Sequence, residues 1–278
     1  MTSPLDTVIR KDAAYRQALD LPCPDLLNPM PATAPDLFSS DYLSVAAEPT
    51  IRETFIRRLT KMPLVLGSTG SRLATGNTET HTAFEERMRT FFGSTAGHAT
   101  EALLFNSGYD ANVAFWSTIP QPDDIIVFDE LVHASIRAGV AASRPKDQGA
   151  LYPFRHNSPP AFRQCLLDVL HAHPDISEGK KTVFIAVETL YSMDGDFAPL
   201  HEIFDAVDKL LPPGCSHIMV DEAHTSGLFG PEGRGLLVEL GLDGRANTVL
   251  HTFSKIWGMS GGMALSLPSS SPPKASRH

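Results

Sequence analysis

The sequence predicts an α/β fold of three layers, in which a mostly parallel sheet is flanked by helices. Two observations support this fold class. From residue 102 onward, short and almost continuously apolar runs recur along the chain, and most of them are separated by segments whose apolar residues have helical spacing. Strands that are apolar on both sides are typical of a parallel sheet with both faces covered by helices.

The elements follow one another in a regular order. The apolar run ALLFNS precedes GYDANVAFWSTI, and DIIVFDE precedes VHASIRAGVAAS, so each pair predicts one strand and one helix. A segment that opens with two prolines, PPAFRQCLLDVLHAH, predicts a helix after the strand LYPFRHN. The predicted strands cover residues 102–107, 124–130, 151–157, 181–190, 216–223, 247–254 and 261–267, and the predicted helices cover residues 108–119, 132–143, 159–173 and 200–211.

The charge of the chain argues against one class of function. The chain has 278 residues and a net charge of −9, from 23 basic and 32 acidic residues. A negative protein is poorly suited to bind phosphate backbones, so we expect no nucleic-acid partner. Hydrophobic residues make up 42% of the sequence, which is an ordinary balance for a globular protein and argues against wholesale disorder.

Three further features lead us to expect a cytoplasmic protein. The cysteines, Cys23, Cys165 and Cys215, are widely spaced without a C-x-x-C pair, as is usual for reduced thiols. The first residues contain no apolar core of the kind that a signal peptide needs. No apolar run approaches the roughly 20 residues that span a bilayer, so we expect no membrane partner.

The segment HIMVDEAHTSG, residues 217–227, is compatible with more than one chemistry. Asp-Glu-Ala-His after an apolar strand is typical of helicases, which also need a G-x-x-x-x-G-K-[ST] loop to bind phosphates. The chain lacks that loop, because its only Gly-Lys pair, at residues 179–180, is followed by Lys181. The sequence therefore argues against a helicase.

A serine hydrolase is the second alternative. GMSGG, residues 258–262, matches the G-x-S-x-G pattern of a nucleophile elbow. That elbow requires a helix after the serine, followed later in the chain by an acid and a histidine. Ser260 is instead followed by the strand-like segment MALSLP. The order of the residues argues against this interpretation.

The residues at the strand ends fit pyridoxal 5'-phosphate (PLP) chemistry. Ligands of parallel α/β sheets bind at the carboxyl ends of the strands. PLP needs a lysine that holds its aldehyde as an imine and an acid that keeps its pyridine nitrogen protonated. Lys255 and Asp221 each follow an apolar strand, and His224 lies three residues beyond Asp221, within reach of the phenolic oxygen.

The phosphate and the ring face of PLP also have candidate partners. Gly108 and Tyr109 open a helix directly after a strand, so their amides could bind a phosphate at the positive end of that helix. Thr252 and Ser254 lie beside the candidate lysine, where hydroxyl groups could add to the phosphate site. His133 starts the next helix and could lie against the ring.

Six ordered motifs make the chain similar to a known family. They are GSTGSRLATGNTETH, FNSGYDAN, DELVHAS, YSMDGDFAPL, VDEAHTSGLFGPEGRG and HTFSKIWGMSGG. Over residues 37–265 they resemble the α-oxoamine synthases. These are fold-type-I PLP enzymes that condense an amino acid with an acyl-CoA and lose carbon dioxide, which gives an α-aminoketone. YSMDGDFAPL most resembles the 8-amino-7-oxononanoate synthase branch, which belongs to biotin biosynthesis.

The resemblance implies a role for each residue around the cofactor ring. Lys255 is implied as the Schiff-base lysine and proton shuttle, and Asp221 as the partner of the pyridine nitrogen. His133 is implied to stack on the ring. His224 and Ser192 are implied to lie near the phenolic oxygen. The implied catalytic residues are Lys255, His133, Asp221 and His224.

The resemblance also implies a phosphate site, substrates and a partner. Gly108, Tyr109 and Thr252 are implied to bind the cofactor phosphate. The family works as a homodimer with its sites at the interface, to which the glycine-rich stretch before His81 would contribute. The implied substrates are an amino acid and an acyl-CoA, and no metal site is expected.

Three segments are predicted along the chain. Residues 1–49 are predicted to form an N-terminal arm, residues 50–267 the PLP-binding large domain, and residues 268–278, PSSSPPKASRH, a disordered tail. The family continues with a smaller C-terminal domain of roughly a hundred residues, which we expect to be missing here. Two hypotheses stay open: an active α-oxoamine synthase, or a truncated non-catalytic member that binds PLP or a full-length partner.

Overall fold

A computed structural model describes residues 10–11, 36–37, 39–63, 65–93, 101–145 and 149–266. The chain divides into two compact units, Met1–Ser39 and Ser40–His278, and every element below belongs to the second. Within the described ranges, no helix combines the length and the apolar character needed to cross a bilayer. The predicted tail, residues 268–278, and most of the predicted arm lie outside the described residues, so the segment boundaries stay predictions.

A seven-stranded sheet organises the described part of the chain. The strands are β1 (Glu101–Phe105), β2 (Ile125–Asp129), β3 (Leu151–Phe154), β4 (Val183–Glu188), β5 (Leu190–Tyr191), β6 (Asp196–Phe197), β7 (Ser216–Asp221), β8 (Thr248–Thr252) and β9 (Gly262–Ser266). The order across the sheet is β1-β9-β8-β7-β4-β2-β3, and β5 and β6 form a separate antiparallel pair.

The direction of the strands decides where their ends lie. β3, β2, β4, β7 and β8 pair in parallel, whereas β9 pairs antiparallel with both β8 and β1. β1 therefore runs in the same direction as β8, and only β9 is reversed among the seven strands of this sheet. The carboxyl ends of the other strands meet at one edge. The mostly parallel sheet predicted from the sequence is confirmed.

Seven α-helices accompany the sheet within the described ranges. They are α1 (Pro49–Leu59), α2 (Glu79–Phe92), α3 (Gly108–Thr118), α4 (Ala134–Ala141), α5 (Pro159–Ala172), α6 (Leu200–Leu210) and α7 (Leu236–Glu239). The four helices predicted from the sequence correspond to α3, α4, α5 and α6. The sequence analysis did not assign α1, α2 and α7. In the structure α1 buries no residue, and its apolar side chains Ile51, Phe55 and Ile56 are exposed, whereas α2 buries only Met88 and Phe92.

The core holds the strand ends in place. β4 is buried along its whole length, as expected for a strand covered on both faces. α3 packs closely on α4, where a Cβ at Gly139 would lie 2.7 Å from Cβ of Trp116. Trp116 is completely buried, and burial of a side chain of this size stabilises the fold by roughly 3 kcal/mol. The segments that follow β1, β2, β4, β7 and β8 are therefore anchored on a rigid support.

The residues of the rejected hydrolase motif also have a defined position. Ser260 is exposed and is followed, after Gly261, by strand β9. A nucleophile elbow would place a helix there. The glycine turn thus leads back into the sheet, as the sequence predicts.

Candidate active site

Lys255 and His224 lie in direct contact at the carboxyl edge of the sheet. The Lys255 Nζ atom is 2.6 Å from Nε2 of His224. The other ring nitrogen of His224, Nδ1, is 2.8 Å from the hydroxyl oxygen of Tyr42. Lys255 follows β8 and His224 follows β7, so the parallel pairing of these strands brings the two residues together. The structure thus forms a Tyr42–His224–Lys255 chain of polar contacts.

Burial disfavours the charged forms of both Lys255 and His224. Burial lowers the pKa of Lys255, although Asp221 and Glu188 act in the opposite direction. Burial, followed by the charges of Lys255 and His133, lowers the pKa of His224 to about 4. A neutral imidazole therefore faces an amine that gives up its proton more readily than an exposed lysine, and an unprotonated amine is the form that acts as a nucleophile.

Asp221 provides a buried carboxylate next to these residues. It is the last residue of β7 and is 5% exposed. Its Oδ2 accepts a hydrogen bond of 2.8 Å from Nδ2 of Asn112, and its Oδ1 accepts one of 2.9 Å from the backbone N–H of Ala223. Asn112, on α3, also donates to Oγ of Ser135 at 3.0 Å. These two donors hold both carboxyl oxygens of Asp221 in a fixed orientation.

His133 caps α4 and presents its ring to solvent. The ring nitrogen Nδ1 lies 2.6 Å from Oγ of Ser135 and accepts the backbone N–H of the same residue at 3.2 Å. The backbone N–H of His133 donates to Oε1 of Glu188. Partial burial lowers the pKa of His133, an effect that Asp221 opposes and Lys255 reinforces. A fixed and mostly neutral imidazole thus leaves one surface on which a flat ring can lie.

An anion cradle is formed where α3 begins. Ser107 caps this helix by accepting the backbone N–H of Asp110 at 2.9 Å, and Gly108 is its first residue. A Cβ at Gly108 would lie 3.0 Å from Cβ and 3.1 Å from Oγ1 of Thr252, so only glycine leaves this space open. Oγ1 of Thr252 lies 3.1 Å from Oγ of Ser254. Backbone N–H groups at a helix start, together with hydroxyl groups, are the usual partners of a phosphate.

Tyr109 and Ser192, two of the predicted site residues, are exposed. Tyr109 is 48% exposed, and its ring contacts that of His133 edge to face, with centroids 6.3 Å apart. Ser192 is exposed between β5 and β6. Among the hydrogen bonds of residues 101–145 and 149–266, none joins Ser192 to the other predicted site residues. Its place near the phenolic oxygen stays a prediction.

Three residues near the site were assigned no role from the sequence. They are Tyr42, Asn112 and Ser135, which contact His224, Asp221 and His133 respectively. Asn112 gives a weak signal, because it is a polar residue one turn after Gly108 in a largely apolar helix. Tyr42 gives none from spacing, since 182 residues separate it from His224.

The arrangement fits the cofactor predicted from the sequence. A lysine amine, a buried carboxylate and a partly open imidazole border the same edge of the sheet as the anion cradle. One further atom, Oδ1 of Asn112, is buried without a hydrogen-bond partner among the described residues. PLP requires a lysine, an acid, a ring support and a phosphate site, and each requirement has a candidate here.

Comparisons with known proteins identify the family of the chain. The family model described as aminotransferase class I and II matches residues 36–271. The chain is 42% identical over 254 residues to an 8-amino-7-oxononanoate synthase of Emericella nidulans, covering 91% of this chain and 60% of that relative. It is 38% identical over 234 residues to the aminoacyl transferase sphA of Byssochlamys spectabilis, covering 84% of this chain and 48% of that relative.

A solved structure extends the comparison to the fold. The chain superposes on a serine palmitoyltransferase from S. paucimobilis, solved with bound PLP and myriocin, with a TM-score of 0.75 and 27% identity. The match covers 96% of this chain and 65% of that protein. The chain therefore spans about half to two thirds of the length of the proteins that it resembles.

These findings confirm the fold-type-I architecture and the resemblance to α-oxoamine synthases that the six motifs predict. The family match covers most of the chain, and the structural likeness extends over almost all of it. The chain belongs to the aminotransferase class I and II family.

Proposed function

We propose that this chain supplies the PLP-binding part of an α-oxoamine synthase. Such an acyltransferase joins an amino acid to an acyl-CoA with loss of carbon dioxide and forms an α-aminoketone. The observation that carries the proposal is the contact of 2.6 Å between Lys255 and His224, beside the buried carboxylate of Asp221. We favour the 8-amino-7-oxononanoate synthase reaction, because the relative from E. nidulans has that name.

The proposal gives each site residue a part in holding PLP. Lys255 would bind the aldehyde through its amine, and Asp221 would hold a proton on the pyridine nitrogen; their buried positions beside His224 and Asn112 support these roles. His133 would support one face of the ring, and His224 would contact the phenolic oxygen. The phosphate would lie against the backbone N–H groups of Gly108 and Tyr109 and the hydroxyl of Thr252.

The chain's own residues account for the proton transfers. PLP, when bound, supplies an electron sink that stabilises negative charge at the α-carbon of the amino acid. The amine of Lys255, when it is not bound to the aldehyde, would act as the base that removes the α-proton. Its lowered pKa favours this role, because only an unprotonated amine can accept a proton. Asp221 would hold the proton at the pyridine nitrogen.

The names of the relatives favour an active enzyme over a non-catalytic member. Both relatives described above are named as enzymes, a synthase and a transferase.

We also propose that the chain works as a homodimer in the cytoplasm. Cys165 and Cys215 are free thiols, which agrees with a reducing compartment. Sedimentation equilibrium of the purified chain would test the dimer, and a monomer across the measured concentrations would contradict it.

Absorption spectroscopy with added PLP tests the proposed function. The wild type should show the visible band of lysine-bound PLP, and Lys255→Ala should lose it. Lys209→Ala is the matched control, because Lys209 is an exposed lysine on α6 and should leave the band unchanged. A small amino acid should then shift the wild-type band, and an acyl-CoA should release free CoA thiol.

The outcomes separate the two hypotheses. A band that survives in Lys255→Ala would show non-specific binding to other lysines and would contradict the site. A Lys255-dependent band without an amino-acid shift and without thiol release, over a panel of acyl-CoA chain lengths, would support the non-catalytic member instead.

A further inference from the structure

A buried carboxyl group borders the site without a part in the proposed chemistry. Glu188 ends β4, is 5% exposed, and is paired across the sheet with Asp221, the last residue of β7. Its Oε1 accepts the backbone N–H of His133. Its own backbone N–H donates to the hydroxyl oxygen of Tyr191 at 3.2 Å. Both the main chain and the side chain of Glu188 are thus fixed.

The charged groups around Glu188 decide its protonation. Burial and the neighbouring Asp221 raise the pKa of Glu188 to about 8; Asp129 adds to the rise, while the backbone N–H of His133 and the charge of Lys255 oppose it. Two adjacent buried carboxyl groups rarely ionise together, because their charges repel strongly away from water. One of the pair therefore retains a proton at neutral pH.

The hydrogen bonds indicate which carboxyl group retains that proton. Asp221 accepts two N–H donors, from Asn112 and Ala223, so both of its carboxyl oxygens already act as hydrogen-bond acceptors. Glu188 accepts the single backbone N–H of His133, which the carbonyl oxygen of a neutral carboxylic acid can also do. The proton therefore belongs on Glu188.

We propose that Glu188 is a positioning residue of the site: in its protonated form it anchors the main chain of His133 and leaves Asp221 as the single buried anion of the pair. The purpose of this role depends on the proposed PLP function. A second negative charge at Glu188 would be unfavourable next to the buried carboxyl group of Asp221, because like charges repel strongly away from water. Loss of the Glu188 side chain would free the segment that carries His133.

The first test uses the chain without PLP, so it does not depend on the proposed function. A carboxyl group whose pKa rises from 4.5 in the unfolded chain to about 8 in the folded chain stabilises the fold below pH 4.5. That stability is lost as the pH rises towards about 8. Glu188→Gln resembles the protonated acid and cannot lose that proton. We therefore compare the two proteins by the difference in Tm, taken as Glu188→Gln minus wild type. This difference should increase as the pH rises from about 5 to about 8.5.

The second test measures PLP affinity by absorption titration at neutral pH. Glu188→Gln should bind PLP within about twofold of the wild type, whereas Glu188→Ala should bind about tenfold more weakly, because the N–H of His133 loses its acceptor. Equal weakening in both variants would show that the negative charge is needed and would overturn the proposal. A Tm difference that does not change with pH would overturn it as well.

Each way in which the experiment can fail has a distinct meaning. If the wild type does not bind PLP, the proposed function fails, yet the Tm comparison still tests the protonation of Glu188. If Glu188→Ala does not fold, the comparison of Glu188→Gln with the wild type still decides the outcome in both tests.

Discussion

The floor and the rim of the site differ in how they are built. We define the floor as Asp221, Asn112, Glu188 and Thr252, none of which is more than 5% exposed. We define the rim as Tyr42, Tyr109, His133 and Ser192, all of which are exposed. Asp221, Glu188 and Thr252 end three strands of one sheet, whereas the rim residues come from loops, helix starts and the segment before α1.

This difference decides how strongly each part constrains the chemistry. Floor residues are held by strand pairing and by a packed core, so their hydrogen bonds are formed before any ligand arrives. Rim residues depend on contacts between segments that lie far apart in the chain, as with Tyr42 and His224. Floor substitutions that remove a hydrogen bond or the charge of Asp221 should therefore cost more function than substitutions in the rim.

Asp221→Asn, in the floor, should have the largest effect. The substitution preserves the shape of the side chain but removes the charge that holds the proton on the pyridine nitrogen. Removal of one preorganised electrostatic group typically costs about a hundredfold in rate, and we expect at least this loss in PLP-dependent exchange of the α-proton of an amino acid, measured by NMR in deuterium oxide.

The matched control is Asp124→Asn, at the opposite edge of the sheet. Asp124 lies just before β2 and accepts the backbone N–H groups of Thr182 and Gln121. Its substitution should leave exchange unchanged. An equal loss of exchange in both variants would show that the effect comes from reduced stability and not from the charge of Asp221.

Substitution of Gly108, where the floor meets the anion cradle, should have an intermediate effect. A Cβ at this position would crowd Thr252 at 3.0 Å, so Gly108→Ala should weaken PLP binding about tenfold and Gly108→Val should weaken it further. Isothermal titration calorimetry measures both affinities. Wild-type affinity in Gly108→Val would contradict the position of the cradle.

Tyr42→Phe, in the rim, should have the smallest effect. It removes one partly exposed hydrogen bond to His224, so we expect PLP affinity to fall by about threefold to fivefold. Tyr152→Phe is the control, because the hydroxyl of Tyr152 makes a similar contact with a ring nitrogen of His173, at 3.1 Å. A loss for Tyr42→Phe as large as that for Gly108→Val would remove the distinction between floor and rim.

The sequence predicted part of the floor and part of the rim. Asp221 and Thr252 of the floor, and Lys255 beside them, could be found because each lies at the end of an apolar run, and parallel strands bring their carboxyl ends together. The order of the six motifs then identified the family, which the comparisons confirm. Helical spacing placed Asn112 on α3, but spacing alone does not say which strand end the side chain meets.

Within the rim, Tyr109 and His133 were found at the starts of predicted helices, whereas Tyr42 was missed. The hydroxyl of Tyr42 reaches His224 from a segment with little regular structure, so neither periodicity nor strand order predicts the contact. Ser192 was assigned from the resemblance alone, and it lies exposed on the connection between two short strands.

Reductive trapping of PLP tests the identity of the reactive lysine most directly. The purified chain is incubated with PLP, treated with borohydride, digested and mapped by mass spectrometry. We expect one pyridoxyl phosphate group per chain, on the peptide that contains Lys255, and far less label on the exposed Lys180 and Lys209. Label spread evenly over the surface lysines, with none enriched at Lys255, would contradict the proposed site.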